Sequence, residues 1–207
     1  MSDSATGTPP PGRSARDRTA KLLSGALGSA ILMILLVAAM WAVEIVDYVE
    51  NGRLDRFGIV AHDPDGLPGI VFAPFLHAGF AHLMANSVPL LILGFLAAIR
   101  GIGRFLGASL VIILISGLGV WFTSPPGTLT IGASGLVFGY FGYVVARGLF
   151  DRRALDIVLG VLVAALYYSI LWGALPTQPG VSWQGHLFGL IGGIVAAWLL
   201  RRRRAAY

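Results

Sequence analysis

Six long apolar runs, separated by polar or turn-rich connections, dominate the hydropathy pattern of the chain. They cover residues 22–43, 82–99, 105–122, 134–150, 155–175 and 186–200. About 20 apolar residues are enough for a helix to cross the hydrocarbon core of a bilayer. A lipid-exposed strand would leave backbone groups without hydrogen-bond partners. The pattern therefore predicts an all-α polytopic membrane protein, built as a bundle of six transmembrane helices.

Two tails and one long connection lie outside these runs. Residues 1–21 are rich in Ser, Thr, Pro, Gly and Arg, which is typical of a disordered cytoplasmic tail. We expect residues 201–207 to form a basic cytoplasmic tail and residues 22–200 to form one membrane domain. The connection 49–81 is rich in apolar residues, and we expect it to lie on the membrane interface or partly within it.

Composition agrees with a lipid-embedded protein and restricts its chemistry. Of the 207 residues, 56% are hydrophobic and only 12% are charged, whereas soluble domains carry about 25% charged residues. A soluble globular enzyme is therefore excluded. The chain contains no cysteine, which removes disulfides, a thiolate nucleophile and cysteine-ligated metals from consideration. Any nucleophile is expected to be an oxygen.

Positive charge is concentrated on one side of the predicted bundle. Counting alternate connections places 13 of the 15 Lys and Arg residues on the side that holds both termini. The positive-inside rule then predicts that both termini are cytoplasmic. Because these charges lie at the ends of helices, they are expected to contact anionic lipid headgroups, and we expect no nucleic-acid partner.

Three polar residues fall at one depth of the predicted bundle. At 1.5 Å per residue, Ser134, His186 and Asn86 lie ~24, ~21 and ~20 Å from the cytoplasmic ends of their helices. Polar side chains inside a span are costly and indicate function. The helices of Ser134 and His186 also carry glycines at small-xxx-small spacing, which allows close approach in lipid. The serine and the histidine can therefore meet.

Such a pair supports acyl transfer. A neutral imidazole can take the proton of a serine hydroxyl and turn it into a nucleophile. The amide of Ser134, at a helix start, can stabilise an oxyanion. His82 and Asn86 share a helix face at i and i+4 spacing and can add two donors. Because no Asp or Glu falls in this layer, a Ser-His dyad rather than a triad is predicted.

Other interpretations remain open on these residues alone. The Gly-Ala-Ser-Gly segment is common in helix packing, and Asn86 can serve as an interhelical hydrogen-bond donor. His77, His82 and His186 can be considered as metal ligands, although no H-E-x-x-H motif or nearby carboxylate completes such a site. A small transporter that uses the polar layer is a further alternative, but no inverted repeat is evident.

Three motifs together resemble those of the rhomboid family of intramembrane proteases. They are His82-x-x-x-Asn86, preceded by the segment PFLHAGFAH, then Gly132-Ala133-Ser134-Gly135, and finally Gly185-His186-x-x-Gly189. Their order and their places in the predicted helices agree with that family over residues 22–200. The resemblance implies a six-helix rhomboid-like bundle, with Ser134 as nucleophile and His186 as general base.

The resemblance also implies roles for the residues around this pair. His82, Asn86 and the Ser134 amide would form the oxyanion site. The supporting residues would be Gly132, Gly135, Phe138, Gly185 and Gly189, with Phe138 stacking on the base. The implied substrates are transmembrane proteins, and neither a metal nor another cofactor is expected. The six-helix layout favours a bacterial plasma membrane, and the oligomeric state is left open. A proteolytically inert relative that binds transmembrane helices is the alternative.

Overall fold

The computed structural model describes residues 15–201, and within them the chain is mostly helical. Seven α-helices run in chain order: α1 (Ala15–Val49), α2 (Gly69–Phe72), α3 (Phe80–Ala98), α4 (Ile102–Thr123), α5 (Ser134–Asp151), α6 (Ala154–Tyr167) and α7 (Trp183–Leu199). Two short strands, β1 (Ile59–Val60) and β2 (Leu129–Thr130), pair antiparallel. Each apolar run of the sequence coincides with one of the long helices, except that the fifth run is α-helical only to Tyr167 and continues as a 3₁₀ helix over Tyr168–Ala174.

Four helical segments are long and apolar enough to cross a membrane, two fewer than the six spans that the sequence predicts. The four are Thr19–Val49, Phe80–Ala98, Ile102–Thr123 and Ala154–Ala174. Helix α7, at 17 residues, is a shorter apolar helix. Helix α5 is almost wholly buried among its neighbours. A helix that faces protein instead of lipid can carry more Gly and Tyr, so its hydropathy is a weaker signal.

Helix α1 is longer than the first apolar run at both ends. It begins at Ala15, so residues 15–21 are helical and the prediction of a disordered tail is wrong for them. Ala, Arg and Lys have high helix propensity, which lets the polar segment continue the apolar helix without burying a face. The rest of that predicted tail, residues 1–14, lies outside the described residues. So do residues 202–207 of the basic tail.

The core of the bundle forms around α5 and α7. Helix α5 packs against α7, α6, α3 and α4, while α1 packs mainly against α3. Glycines allow the closest approach, because a Cβ on Gly193 would collide with the Gly139 carbonyl oxygen and one on Gly142 would lie 2.7 Å from the Leu190 oxygen. This contact brings the backbones of α5 and α7 together over several turns.

A buried ion cluster joins three helix ends at the opposite end of α5 from Ser134. Asp156 in α6 is 1% exposed, and its Oδ1 accepts hydrogen bonds from Arg100 Nη2 at 2.7 Å and Nε at 3.1 Å. Arg147 Nε lies 3.4 Å from the same oxygen. Removing one partner of such a buried pair leaves an uncompensated charge, so the cluster keeps the ends of α3, α5 and α6 together.

The long connection between α1 and α3 folds against the protein. Strand β1 pairs with β2 in the connection before α5, with Ile59 opposite Thr130. Ile70 and Ala73 are buried with Ile59 against Val120 of α4. The apolar residues of this connection are therefore partly covered by protein. The strand pairing was not predicted, because two residues give no detectable alternation.

Candidate active site

Ser134 is the first residue of α5 and is reached through a sharp turn. Gly132 has a φ of +119°, a backbone conformation that side chains rarely adopt. A Cβ on Gly132 would also lie 2.7 Å from Cε1 and 2.9 Å from Nε2 of His82. Glycine is thus required at this position both for the turn and for the approach of the His82 ring. This contact brings His82 to the turn that precedes Ser134.

The turn is tied to the first connection by backbone hydrogen bonds. The Gly132 amide donates to the Ala73 carbonyl at 2.8 Å, and the Ala133 amide donates to His77 Nε2 at 3.3 Å. The first amides of a helix have no partner within the helix. The Ser134 amide is therefore placed where it can donate to an external oxygen.

His186 lies in the first turn of α7 and is held on two sides. Its Nδ1 is 2.8 Å from the Gly173 carbonyl oxygen. Because a carbonyl can only accept, Nδ1 carries the hydrogen, and Nε2 of the neutral ring is left as an acceptor. The ring is stacked on Phe138 with centroids 4.1 Å apart and planes at 10°. Phe138 stands one helical turn after Ser134, so the stacking places the imidazole beside the helix that Ser134 begins.

The peptide unit before His186 is also fixed by side chains. Ser182 caps α7, with its Oγ accepting from the Gly185 amide at 3.2 Å. Ser116 of α4 donates its hydroxyl to the Gly185 carbonyl at 2.9 Å. Sequence reasoning missed both serines. The role of Ser182 can be recognised in the sequence, since Ser just before an apolar helix is a favoured N-cap. Ser116 is marked only as a polar side chain within an apolar run.

The two helices meet where the serine and the histidine lie. A Cβ on Gly189 would collide with the Gly135 carbonyl oxygen, and one on Gly135 would lie 3.4 Å from the Gly185 oxygen. Among the described residues, no hydrogen bond joins Ser134 to His186. Catalytic hydrogen bonds often form only when substrate binds. The structure therefore brings the neighbours of both residues into contact and leaves the pair itself unbonded.

Asn86 is 7% exposed and one turn beyond His82 on α3. Its Nδ2 donates to the His82 carbonyl within the same helix at 3.2 Å. An amide group has two N–H donors, so one remains for a ligand. Asn86 therefore lies next to the predicted oxyanion residues but is engaged with its own helix.

A small cavity opens beside Ser134. It lies between α4, the first connection and the starts of α5 and α7, and its lining includes Ile70, Ser116, Val120, Gly132, Ser134 and Gly185. Within residues 15–201, no three His, Asp or Glu side chains are grouped so that they could hold a metal ion. The polar side chains among the residues that line this cavity are hydroxyls, those of Ser116, Thr130, Ser134 and Ser182.

Comparison with known proteins assigns this helical membrane protein to a family. The model of the Rhomboid domain matches residues 65–203. The chain is 46% identical over 181 residues to an uncharacterized protein of Mycobacterium tuberculosis, which covers 84% of this chain and 75% of that protein. It is 29% identical over 131 residues to YdcA of Bacillus subtilis, a candidate rhomboid protease, covering 62% and 65% of the two chains. The chain belongs to the rhomboid family and is an integral membrane protein. The resemblance seen in the sequence is confirmed.

Proposed function

We propose that this protein is an intramembrane serine protease that hydrolyses peptide bonds in or near the transmembrane helices of membrane-protein substrates. Its membrane domain would be residues 22–200. Members of the rhomboid family are generally intramembrane serine proteases, which supports the class of reaction. The observation that carries the proposal is the environment of His186. Its Nδ1 is bonded to the Gly173 carbonyl and its ring stacks on Phe138, so Nε2 is left as an acceptor beside the start of α5.

The reaction follows from the two side chains. Nε2 of His186 takes the hydroxyl proton of Ser134 while Oγ attacks the scissile carbonyl carbon. The imidazolium then returns this proton to the leaving amine, and an acyl ester on Ser134 remains. Water, deprotonated by the same Nε2, attacks the ester and releases the new carboxyl terminus and the serine hydroxyl. The Gly173 carbonyl performs one task of the carboxylate in a catalytic triad, because it fixes the tautomer of the base.

The developing oxyanion would be stabilised by three donors. The Ser134 amide opens α5 and has no partner within that helix, the His82 ring lies against Gly132, and Asn86 stands one turn further along α3. Donors that are already in place cost little reorganisation when charge develops. Gly132, Gly135, Gly185 and Gly189 would support this arrangement by close backbone contact, and Phe138 would support it by stacking on His186.

The experiment that tests this function uses the purified full chain in liposomes with a single-span model substrate. A protease releases two fragments, and mass spectrometry identifies the cleaved bond in or near the span. An intact substrate that nevertheless co-purifies with the chain would contradict proteolysis and support an inert helix-binding protein instead.

Asn86→Ala is expected to lower kcat by about 100- to 1,000-fold with a smaller effect on substrate binding, since an oxyanion donor acts mostly in the transition state. If Asn86 only joined helices, the loss would be about 0.6 kcal/mol of stability with normal turnover. Its neighbour provides the control, because Ser87 Oγ accepts from Trp41 Nε1 at 3.0 Å between α1 and α3. Ser87→Ala should lower the melting temperature and leave kcat unchanged. Normal kcat in Asn86→Ala would reject the oxyanion role.

We further propose that all six long helices cross a bacterial plasma membrane and that both termini are cytoplasmic. Because the chain has no cysteine, single cysteines report the orientation directly. The side chains of Thr128 and Gln178 and the backbone at Gly103 are exposed. Cysteines at Thr128 and Gln178 should react with an impermeant thiol reagent added to intact cells, and one at Gly103 only after permeabilisation. The reverse labelling would contradict the orientation.

A further inference from the structure

His77 occupies a buried position between the first connection and the turn before Ser134. It is 1% exposed and lies in the segment that leads into α3. Its Nε2 accepts a hydrogen bond from the Ala133 amide at 3.3 Å. Ala133 directly precedes Ser134, so this side chain is bonded to the backbone one residue before the nucleophile.

Two successive amides before Ser134 are bound by this connection. The Gly132 amide donates to Ala73, and the Ala133 amide donates to His77. Together these bonds hold the backbone at the positive φ of Gly132. The next amide along the chain belongs to Ser134 and is the one assigned to the oxyanion. The direction of the Ser134 N–H and of its side chain therefore depends on the bond to His77.

His77 also contacts a second residue of the site. Its ring meets the His82 ring edge-on, with centroids 5.1 Å apart and planes at 70°. His82 in turn lies against Gly132. A displacement of His77 would therefore shift both the amide turn and the imidazole proposed to contact the oxyanion.

The protonation state of His77 suits this bond. Burial, together with the neighbouring His82, lowers the pKa of His77 to about 4, although the Phe75 carbonyl opposes this effect. The ring is therefore neutral at pH 7. A neutral imidazole keeps one nitrogen as an acceptor, which the Ala133 amide requires.

We propose that His77 is a positioning residue for the reaction, holding the Ala133 amide so that the Ser134 hydroxyl and amide face the scissile carbonyl. This inference rests on the proposed protease function. It assigns His77 no contact with the substrate and no role in proton transfer. Its nitrogen acts through the backbone of the turn.

Two substitutions separate the acceptor from the bulk of the side chain. His77→Leu keeps a similar volume without an acceptor, and His77→Gln places an amide oxygen near the position of Nε2. His62→Ala is the matched control, because His62 Nε2 donates to the Ser124 carbonyl at 3.0 Å and links the same two connections away from the turn. If His77→Leu does not fold, His77→Asn, whose amide is too short to reach Ala133, takes its place.

The measurements are the rate at which a fluorophosphonate probe labels Ser134 and the kcat and KM for the model substrate, each per folded protein. Misplacement of a reacting group by about 1 Å can cost about 100-fold. We expect His77→Leu to lose about 10- to 100-fold in labelling rate and kcat with little change in KM. His77→Gln should recover most of this loss, and His62→Ala should match the wild type.

Two results would overturn the role of His77. One is wild-type labelling and turnover in His77→Leu, and the other is a His77→Gln variant as impaired as His77→Leu. Failure of the protease function is seen separately, as a wild-type chain that neither labels nor cleaves. The hydrogen bond is then still tested by amide exchange at Ala133, which should be faster in His77→Leu and unchanged in His77→Gln. Equal exchange in both variants would reject the contact itself.

Discussion

Ser134→Ala and His186→Ala are each expected to abolish cleavage, with kcat lowered on the order of 10⁶-fold, as found when a serine protease loses its nucleophile or base. The double variant should be no worse than either single one. A base without its nucleophile has no proton to take, so the two losses do not add. Initial rates on the single-span substrate, measured with equal amounts of folded protein, test this.

Ser109→Ala and His62→Ala are suitable controls for these losses. Ser109 Oγ lies 2.7 Å from Tyr140 Oη between α4 and α5, and His62 bonds to the Ser124 carbonyl. Both controls should keep wild-type turnover. Undiminished cleavage by Ser134→Ala would exclude the serine mechanism.

The second large effect is expected at Gly189, one turn after His186. A Cβ at this position would collide with the Gly135 carbonyl oxygen, a backbone atom that cannot rotate away. Gly189→Ala should therefore push α7 away from the start of α5, where Ser134 and His186 must meet. We expect kcat to fall by about 100-fold, since small misplacements of reacting groups have effects of this size. The measurement is kcat per folded protein.

Gly107→Ala is the matched control for the same substitution on a neighbouring helix. A Cβ there would lie 3.6 and 3.7 Å from the methyl carbons of Leu200, which is ordinary contact. This variant should keep wild-type turnover and stability. A Gly189→Ala protein with wild-type kcat would show that the close contact between α5 and α7 is not needed for the reaction.

The helices were predictable because lipid imposes a simple rule on the sequence. Each apolar run appears as a helix, and the family inferred from three short motifs is confirmed by the comparisons. Hydropathy alone does not give the number of spans, because α5 is almost wholly buried against protein and α7 is only 17 residues long. Helix α1 begins earlier than the apolar run predicts, because residues 15–21 are polar but favour helix.

The finer features of the site depend on contacts that no sequence pattern records. The acceptor for His186 is the backbone oxygen of Gly173, and any residue supplies such an oxygen. The sequence offers His77 as a candidate metal ligand, whereas in the structure its Nε2 accepts from the Ala133 amide. The buried pairing of Asp156 with Arg100 and Arg147 is likewise not predictable from the sequence, because charged residues near helix ends usually contact solvent or lipid headgroups. The roles of Ser134, His186, His82 and Asn86 remain predictions.

The central claim is that Ser134 is a nucleophile activated by His186, and covalent labelling tests it most directly. Wild-type protein in liposomes is incubated with a fluorophosphonate probe, digested and analysed by mass spectrometry. We predict a single adduct on Ser134 that forms together with loss of cleavage and is absent from His186→Ala. A protein that cleaves the substrate at full rate after exposure to the probe, with Ser134 unmodified, would contradict the account.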